Sequence, residues 1–387
     1  MPVSYEVIRE PVIVSFTETA AFTETYGFTG SQGKVFLEGQ RILPKGRDSN
    51  TVLLFMHPAS TLNLMPLPVA LAAAGSHVLC CGSRFAKNDT ALIMEKVVAD
   101  LGAYIRYARE DLGYQNVVLC GWSGGGSLAT LYQSQAENTT ITDTPAGDPY
   151  DLTAMDLIPA DALMFIAAHT GRARTLAEWI DPSVLDEFDP DARDPELDLY
   201  GGKIEPPFSS DFVRTYRAAQ ILRVRRITDK ALEVLEDLKA RGTKEVERPF
   251  LVHRTMADPR FLDPGLEPND RQPNWCYMGA PETVNSGPVG LARFTTLRAW
   301  LSQWSADHSR ADAEACIRNV TAPLLVIENT ADDAVPVSHP ACVFEAAQMK
   351  DKTFERIEGA THYYREQPEH QALVVNQITA WLAERNM

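Results

Sequence analysis

The sequence of 387 residues contains no apolar run long enough to cross a lipid bilayer. Its longest apolar stretch, residues 64–75, is interrupted by Pro66 and Pro68, whereas a membrane-spanning helix needs about 20 apolar residues. The first residues, MPVSYEVIRE, also lack the apolar segment of a secretory signal. We therefore expect a cytoplasmic protein without membrane insertion.

Cysteine is scarce, and its spacing does not indicate a metal site. The six cysteines form no CxxC pair, and no cluster of Cys and His has ligand spacing. Cys80, Cys81 and Cys120 lie in apolar runs. We expect buried free thiols in a reducing compartment, and no metal or other cofactor.

Basic residues are outnumbered, because 36 Lys and Arg face 52 Asp and Glu, a net charge of −16. Nucleic acid and anionic lipid should be repelled at long range, so we expect neither as a partner. The net charge does not decide against a small-molecule substrate, which responds to the local field of a pocket. The composition is compatible with a homodimer but does not fix the oligomeric state. At 45% hydrophobic and 23% charged residues, the chain has an ordinary globular composition.

Short, nearly continuous apolar runs alternate with helical patterns over much of the chain. Such runs are typical of strands that are covered on both faces. The alternation predicts a mostly parallel central sheet flanked by helices, an α/β fold. Two N-terminal runs, residues 11–18 and 35–43, predict an antiparallel edge. The six runs predicted to be buried strands are residues 52–56, 77–81, 117–120, 162–167, 324–327 and 354–357.

The alternation stops after residue 167 and resumes at residue 324, a gap far beyond an ordinary connection. We expect residues 170–320 to form a mainly helical cap over the strand ends of a core made of residues 1–169 and 321–387. Within the cap, residues 212–241 predict a helix broken near Thr228-Asp229. Apolar residues at helical spacing over 291–304 predict a second helix.

Two further segments, residues 93–108 and 181–198, carry a helical pattern and a cluster of acidic residues. The apolar face of residues 93–108 predicts a core helix, with Asp89 or Thr90 as its N-cap. The segment 181–198 carries eight acidic residues and a single basic one, and predicts a solvated loop without calcium-site spacing.

The sharpest chemical signal is Gly121-Trp122-Ser123-Gly124-Gly125, a GxSxG motif between a predicted strand and a predicted helix. The turn between them is so sharp that side chains at Gly121 and Gly125 would collide, and Ser123 must adopt a strained backbone. This context indicates that Ser123 is a nucleophile. A phosphate-binding loop is disfavoured, because neither GxxxxGK[ST] nor GxGxxG is present.

A serine hydroxyl needs a base within hydrogen-bond reach, and the base needs a carboxylate to orient it. His362 follows the last predicted strand and is the candidate base. The segment after residue 327 offers three carboxylates, Glu328, Asp332 and Asp333. The chain order of serine, acid and histidine is that of an α/β-hydrolase triad.

These motifs resemble those of the α/β-hydrolase superfamily, at its esterase and lipase end, over residues 50–169 and 319–386. The resemblance implies a Gly-x-x-Asp loop before a Val-Pro, matched by residues 329–332 with Asn329 in place of Gly, and it selects Asp332. It also implies a Gly-x-x-His after the last strand, matched by residues 359–362. An oxyanion hole would use the backbone N–H groups of Gly124 and Ala59. The usual His-Gly is His57-Pro58 here, which leaves the shape of that loop open.

The predicted activity is hydrolysis of a small-molecule carboxylic ester or lactone of moderate size through an acyl-enzyme. Amide hydrolysis, carbon–carbon bond hydrolysis and acyl transfer use the same machinery and stay open, as does a non-catalytic binding protein that keeps the fold. An aspartate-nucleophile dehalogenase or epoxide hydrolase is disfavoured, because the motif holds serine. Four further residues are candidates for the substrate pocket: His57, Ser60, Trp122 and His169.

Overall fold

A computed structural model of the chain describes residues 4–18, 33–242 and 244–387. Its centre is an eight-stranded sheet with the order β1-β2-β4-β3-β5-β6-β11-β12. These strands are β1 (Val7–Thr17), β2 (Lys34–Pro44), β3 (Thr51–His57), β4 (His77–Gly82), β5 (Asn116–Ser123), β6 (Ala162–Ala168), β11 (Leu324–Asn329) and β12 (Lys352–Ile357).

The sheet is parallel from β4 to β12 and antiparallel at its N-terminal edge. β1 pairs antiparallel with β2, and β2 pairs antiparallel with β4. All six predicted strands are confirmed, as is the antiparallel N-terminal edge. The predicted burial of residues 354–357 was wrong, because β12 is the other edge strand and only Ile357 in it is buried. The apolar runs were informative because every residue of β3, β4, β6 and β11 is buried.

Helices cover both faces of the sheet, and each face has its own apolar cluster. The helices beside the sheet are α1 (Pro66–Ala73), α2 (Met94–Arg106), α3 (Gly125–Glu137), α9 (Ala313–Ile317), α10 (Ser338–Ala346) and α11 (Pro368–Ala383). One cluster joins alternate residues of β3, such as Val52 and Leu54, to α2, α3 and α9. The other joins Leu53 and Phe55 to α1 and α11.

Between β6 and α9 the chain builds a separate apolar cluster around Trp300 and Trp304. Helices dominate its regular structure, and two short antiparallel hairpins accompany them. Its elements are α4 (Arg172–Trp179), β7 (Val184–Asp186), β8 (Asp189–Arg193), α5 (Ser210–Arg241), β9 (Pro249–Leu251), α6 (Pro259–Leu262), α7 (Pro281–Ser286), β10 (Phe294–Thr296) and α8 (Leu297–Ala299), which a π-helical turn, Trp300–Trp304, extends.

Helices are present within both predicted segments, residues 212–241 and 291–304, but the predicted break in the first and the predicted start of the second were wrong. α5 is continuous over 32 residues, so no break occurs near Thr228. The second helix begins only at Leu297, because Phe294–Thr296 pairs with β9 and the hydroxyl of Thr296 accepts from the N–H of Ala299. Apolar spacing alone could not reveal this strand.

The predicted N-cap of the core helix α2 was also wrong. The helix begins after Ile93, and Asp89 instead forms an ion pair with Arg172. The N–H of Met94 donates to the hydroxyl of Ser302 at 2.8 Å. A residue more than two hundred positions away therefore caps this helix.

The acidic segment 181–198 is solvated only in part. Asp181 is fully buried and accepts from Arg254 at 2.6 Å, and Arg254 also pairs with Asp198. Glu187 pairs with Arg223, which is itself buried. The two ends of the segment thus form buried ion pairs with later parts of the chain.

Candidate active site

The turn between β5 and α3 has the predicted strained geometry. Ser123 ends the strand with a φ of 54°, a left-handed value that side chains other than glycine rarely adopt. A Cβ on Gly121 would lie 2.6 Å from the Cα of Gly126, and one on Gly125 would lie 2.4 Å from the carbonyl oxygen of Met56. The predicted role of both glycines is confirmed, because no side chain fits at either position.

The sheet topology brings the other candidate residues to the same edge as Ser123. In a parallel sheet the carboxyl ends of all strands lie together, and ligands bind there. His57 ends β3, His169 follows β6, Asp332 follows β11 and His362 follows β12.

His362 and Asp332 form a buried pair. Nδ1 of His362 lies 2.8 Å from Oδ2 of Asp332, and each side chain is only 2% exposed. The other carboxylate oxygen, Oδ1, accepts the N–H groups of Ala334 and Val335, both at 2.7 Å. Because a carboxylate only accepts, Nδ1 carries the hydrogen and Nε2 keeps its lone pair.

The two other candidate carboxylates, Glu328 and Asp333, make no hydrogen bond to His362 among the described residues. Glu328 pairs with Arg356 at 2.7 Å on the neighbouring strand β12. Burial, and then the charge of Asp332, raise the pKa of Asp333 to about 6. Of the three carboxylates, only Asp332 is hydrogen-bonded to His362.

Asn329, which departs from the family's glycine, braces the loop that carries His362. Its amide donates to the carbonyl oxygen of Thr361 at 3.1 Å, and its oxygen accepts from the hydroxyl of Tyr364 at 3.1 Å. Asn329 therefore helps to fix the loop that carries His362.

Ser123 and His362 border one cavity of about 380 Å³. No hydrogen bond joins their side chains among the residues that the structure describes; catalytic hydrogen bonds often tighten only when substrate binds. Nine further residues of the core and its loops line the cavity: His57, Ala59, Ser60, Lys87, Asp89, Trp122, His169, Ala334 and Tyr363.

The order of the eight strands, the strained serine between β5 and α3, and an acid and a histidine after β11 and β12 together decide the fold. The chain has the α/β-hydrolase fold.

The solved structures that are similar to this chain are distant in sequence. The esterase domain of a Rhodothermus marinus protein is 15% identical, with a TM-score of 0.46, 96% of this chain covered and 98% of that one. A monoacylglycerol lipase from Paleococcus ferrophilus is 17% identical, with a TM-score of 0.44 and 90% and 98% covered. Est1E from Butyrivibrio proteoclasticus is 13% identical, with a TM-score of 0.46 and 96% and 98% covered. No family model and no curated protein matches the sequence.

The loop after β3 differs from the predicted oxyanion loop. The N–H of Ala59 donates to Nδ1 of His57 at 3.1 Å, and the N–H of Ser60 donates to the same atom at 3.0 Å. The expected second donor is therefore already engaged by a side chain. The carbonyl oxygens of Pro58 and Ala59 accept from the hydroxyl of Ser83 and the N–H of Lys87, which holds the loop in place.

Two imidazoles flank Gly124. The position of a Cβ on this glycine lies 2.7 Å from Nε2 of His57 and 3.4 Å from Nε2 of His169. Burial, and then Arg172, lower the pKa of His57 to about 3. Burial, followed by His339, lowers the pKa of His169 well below its ordinary value. Both rings are therefore neutral.

Trp122 and Tyr363 pack around His362. The ring of Trp122 lies 4.5 Å from the ring of His362 between centroids, and the ring of Tyr363 lies 4.9 Å from it. Trp122, predicted as a pocket residue, thus contacts His362 and also borders the cavity.

Sequence reasoning missed a charged group beside the cavity. Arg172 begins α4, pairs with Asp89, and lies 4.3 Å from the ring of Trp304. Its position directly after β6 was the available signal, because helix starts after parallel strands lie at the ligand edge. With Lys87, these residues give the cavity a polar rim.

Neither a cluster of metal ligands nor a membrane-spanning helix occurs among the described residues. No group of three His, Cys, Asp or Glu residues there could hold a metal ion. In the same part of the chain, no helix is both long and apolar enough to cross a bilayer.

Proposed function

We propose that this protein is a serine hydrolase that cleaves a carboxylic ester or lactone of moderate size through an acyl-enzyme. One observation carries the proposal: a serine on a strained strand-to-helix turn borders the same cavity as a histidine that is hydrogen-bonded to a buried aspartate. The fold supplies the context but does not decide the function.

In the first half-reaction, Ser123 Oγ attacks the acyl carbonyl while Nε2 of His362 takes its proton. Asp332 holds the ring in the required tautomer and stabilises the imidazolium. The Gly124 N–H lies at the start of α3, where it can stabilise the negative oxygen of the tetrahedral intermediate. Collapse of this intermediate expels the alcohol, which receives the proton from His362.

In the second half-reaction, water replaces the alcohol. His362 removes a proton from the water, the hydroxide adds to the acyl carbon, and a second tetrahedral intermediate forms. Its collapse releases the carboxylic acid and returns the proton to Ser123. No step requires a cofactor.

The size of the substrate follows from the cavity and from residues 170–320, which we propose act as a cap over a core of residues 1–169 and 321–387. A volume of about 380 Å³ is at the lower end of the range of small-molecule sites. Part of the wall comes from the proposed cap and is largely apolar: Trp179, Tyr277, Met278, Val289 and Leu291. A compact acyl or alcohol group fits this wall better than a polymer.

The test is hydrolysis of p-nitrophenyl esters, lactones and matched amides graded by size. Ser123→Ala should abolish turnover while the fold, followed by circular dichroism, is retained. Ser76→Ala is the matched control, because Ser76 precedes β4 at the opposite edge of the parallel sheet.

The outcomes separate the proposal from its alternatives. Full activity of Ser123→Ala would refute the assignment of the nucleophile. Turnover of amides but not esters would replace the ester proposal with amide hydrolysis. Failure of the wild-type protein to react with a fluorophosphonate at Ser123 would favour a non-catalytic binding protein.

A further inference from the structure

The loop after β3 holds its expected backbone donor, the N–H of Ala59, against the side chain of His57. An oxyanion hole normally needs two donors aimed at the developing negative oxygen. Gly124 supplies one N–H, but the N–H of Ala59 donates to the imidazole of His57, and Pro58 has no N–H. A second donor must come from another group near Gly124.

The tautomer of His57 follows from its partners. Nδ1 accepts two backbone N–H groups, from Ala59 at 3.1 Å and Ser60 at 3.0 Å. An atom that accepts cannot carry the hydrogen, so the hydrogen of the neutral ring is on Nε2. Burial, and then the positive charge of Arg172, disfavour a second proton on the His57 ring.

The position of Nε2 fits an oxyanion donor. It lies 2.7 Å from the point where a Cβ on Gly124 would be, directly after the nucleophile. His57 borders the same cavity as Ser123, and Nε2 has no acceptor among the residues that the structure describes. His169 is less suited, because its Nδ1 has no partner and its tautomer is not fixed.

We propose that the Nε2–H group of His57 is the second oxyanion donor, with the N–H groups of Ala59 and Ser60 acting through the ring. Donation to Nδ1 draws electron density from the imidazole and strengthens the Nε2–H donor, as in other hydrogen-bond chains. The loop that would place a backbone N–H at the oxyanion thus places a neutral imidazole there. This inference rests on the proposed hydrolase function.

Two substitutions separate the donor role from the role in holding the loop. In His57→Asn, the amide oxygen can replace Nδ1 as the acceptor of both N–H groups, but nothing replaces the Nε2–H donor. In His57→Gln, the amide nitrogen can reach the place of Nε2. We expect His57→Asn to lower kcat for p-nitrophenyl esters by about 10²–10³, the usual cost of one oxyanion donor. KM should change little. The kcat of His57→Gln should be at least tenfold higher than that of His57→Asn.

The rate of fluorophosphonate labelling provides a second readout, with melting temperatures as the check on folding. Labelling of the wild type but not of Ser123→Ala tests the proposed function, and slow labelling of His57→Asn with partial rescue by His57→Gln supports the inference. Wild-type rates in His57→Asn, or equal losses in both variants, would overturn the inference and leave the hydrolase proposal intact. Absence of labelling in the wild type would overturn both.

Discussion

Two adjacent aspartates follow β11, and only Asp332 reaches the imidazole of His362. Asp332→Asn should lower kcat by about 10⁴, because an amide supports the wrong tautomer of the histidine. Asp333→Asn is the matched control and should stay within about fivefold of the wild type, since Asp333 makes no hydrogen bond to His362 among the described residues. Steady-state kinetics on one ester tests both, and equal losses would contradict the choice of Asp332.

Individual residues also mark the limit of what the sequence could predict about the site. Ser123, Asp332 and His362 were predictable because motif and strand order place them at one edge. The engagement of Ala59 by His57 was not, because the direction of a loop N–H depends on the local backbone path. Pro58 signalled that the loop differs, without indicating how.

At the scale of elements, α5 shows how packing overrides a weak local preference. Thr228 suggested a break, since β-branched residues disfavour helices slightly. Its hydroxyl instead donates to the carbonyl oxygen of Val224 at 2.9 Å and accepts from Nε1 of Trp300 at 2.8 Å. Both partners are buried, so the Thr228 hydroxyl is satisfied within the continuous helix and towards the neighbouring π-helical turn.

Thr228→Val should therefore destabilise the protein by about 1–3 kcal/mol, because it leaves a buried indole N–H without an acceptor. Thr228→Ser keeps the acceptor and should cost less. Urea denaturation followed by tryptophan fluorescence measures the difference. If valine were as stable as serine at this position, the bond from Trp300 would not stabilise the helix.

At the scale of the whole molecule, one buried carboxylate joins the core to the segment inserted between β6 and α9. Glu95 of α2 is fully buried and accepts from the hydroxyl of Ser302 at 2.8 Å. Burial raises its pKa to about 7 from an ordinary value of 4.5. The folded state therefore keeps this proton over a pH range in which the unfolded state releases it, and stability falls as pH rises from about 4.5 to about 7.

Glu95→Gln should remove this pH dependence, because glutamine resembles the protonated acid. The two proteins should be similarly stable at pH 4.5, and the variant should be more stable at pH 8 by up to about 3 kcal/mol. Denaturation across this pH range tests the prediction. Parallel curves for the two proteins would contradict it.

The strands of the central sheet could be predicted where an apolar run in the sequence coincides with a buried strand. Strands covered on both faces leave apolar runs such as residues 162–167, and every residue of β6 is buried. Contacts between distant segments leave no local pattern, so the capping of Met94 by Ser302 could not be predicted. The same holds for the pairing of Arg254 with Asp181.

The bond from Met94 to Ser302 has a consequence for protein engineering. A truncated protein without the inserted segment would lose the acceptor at the first turn of α2 and expose Glu95. Shortening the chain to its sheet and flanking helices would thus also require a redesigned start for that helix. Grafting a foreign lid onto this scaffold would succeed only if the donor sequence brought a hydroxyl to the same place.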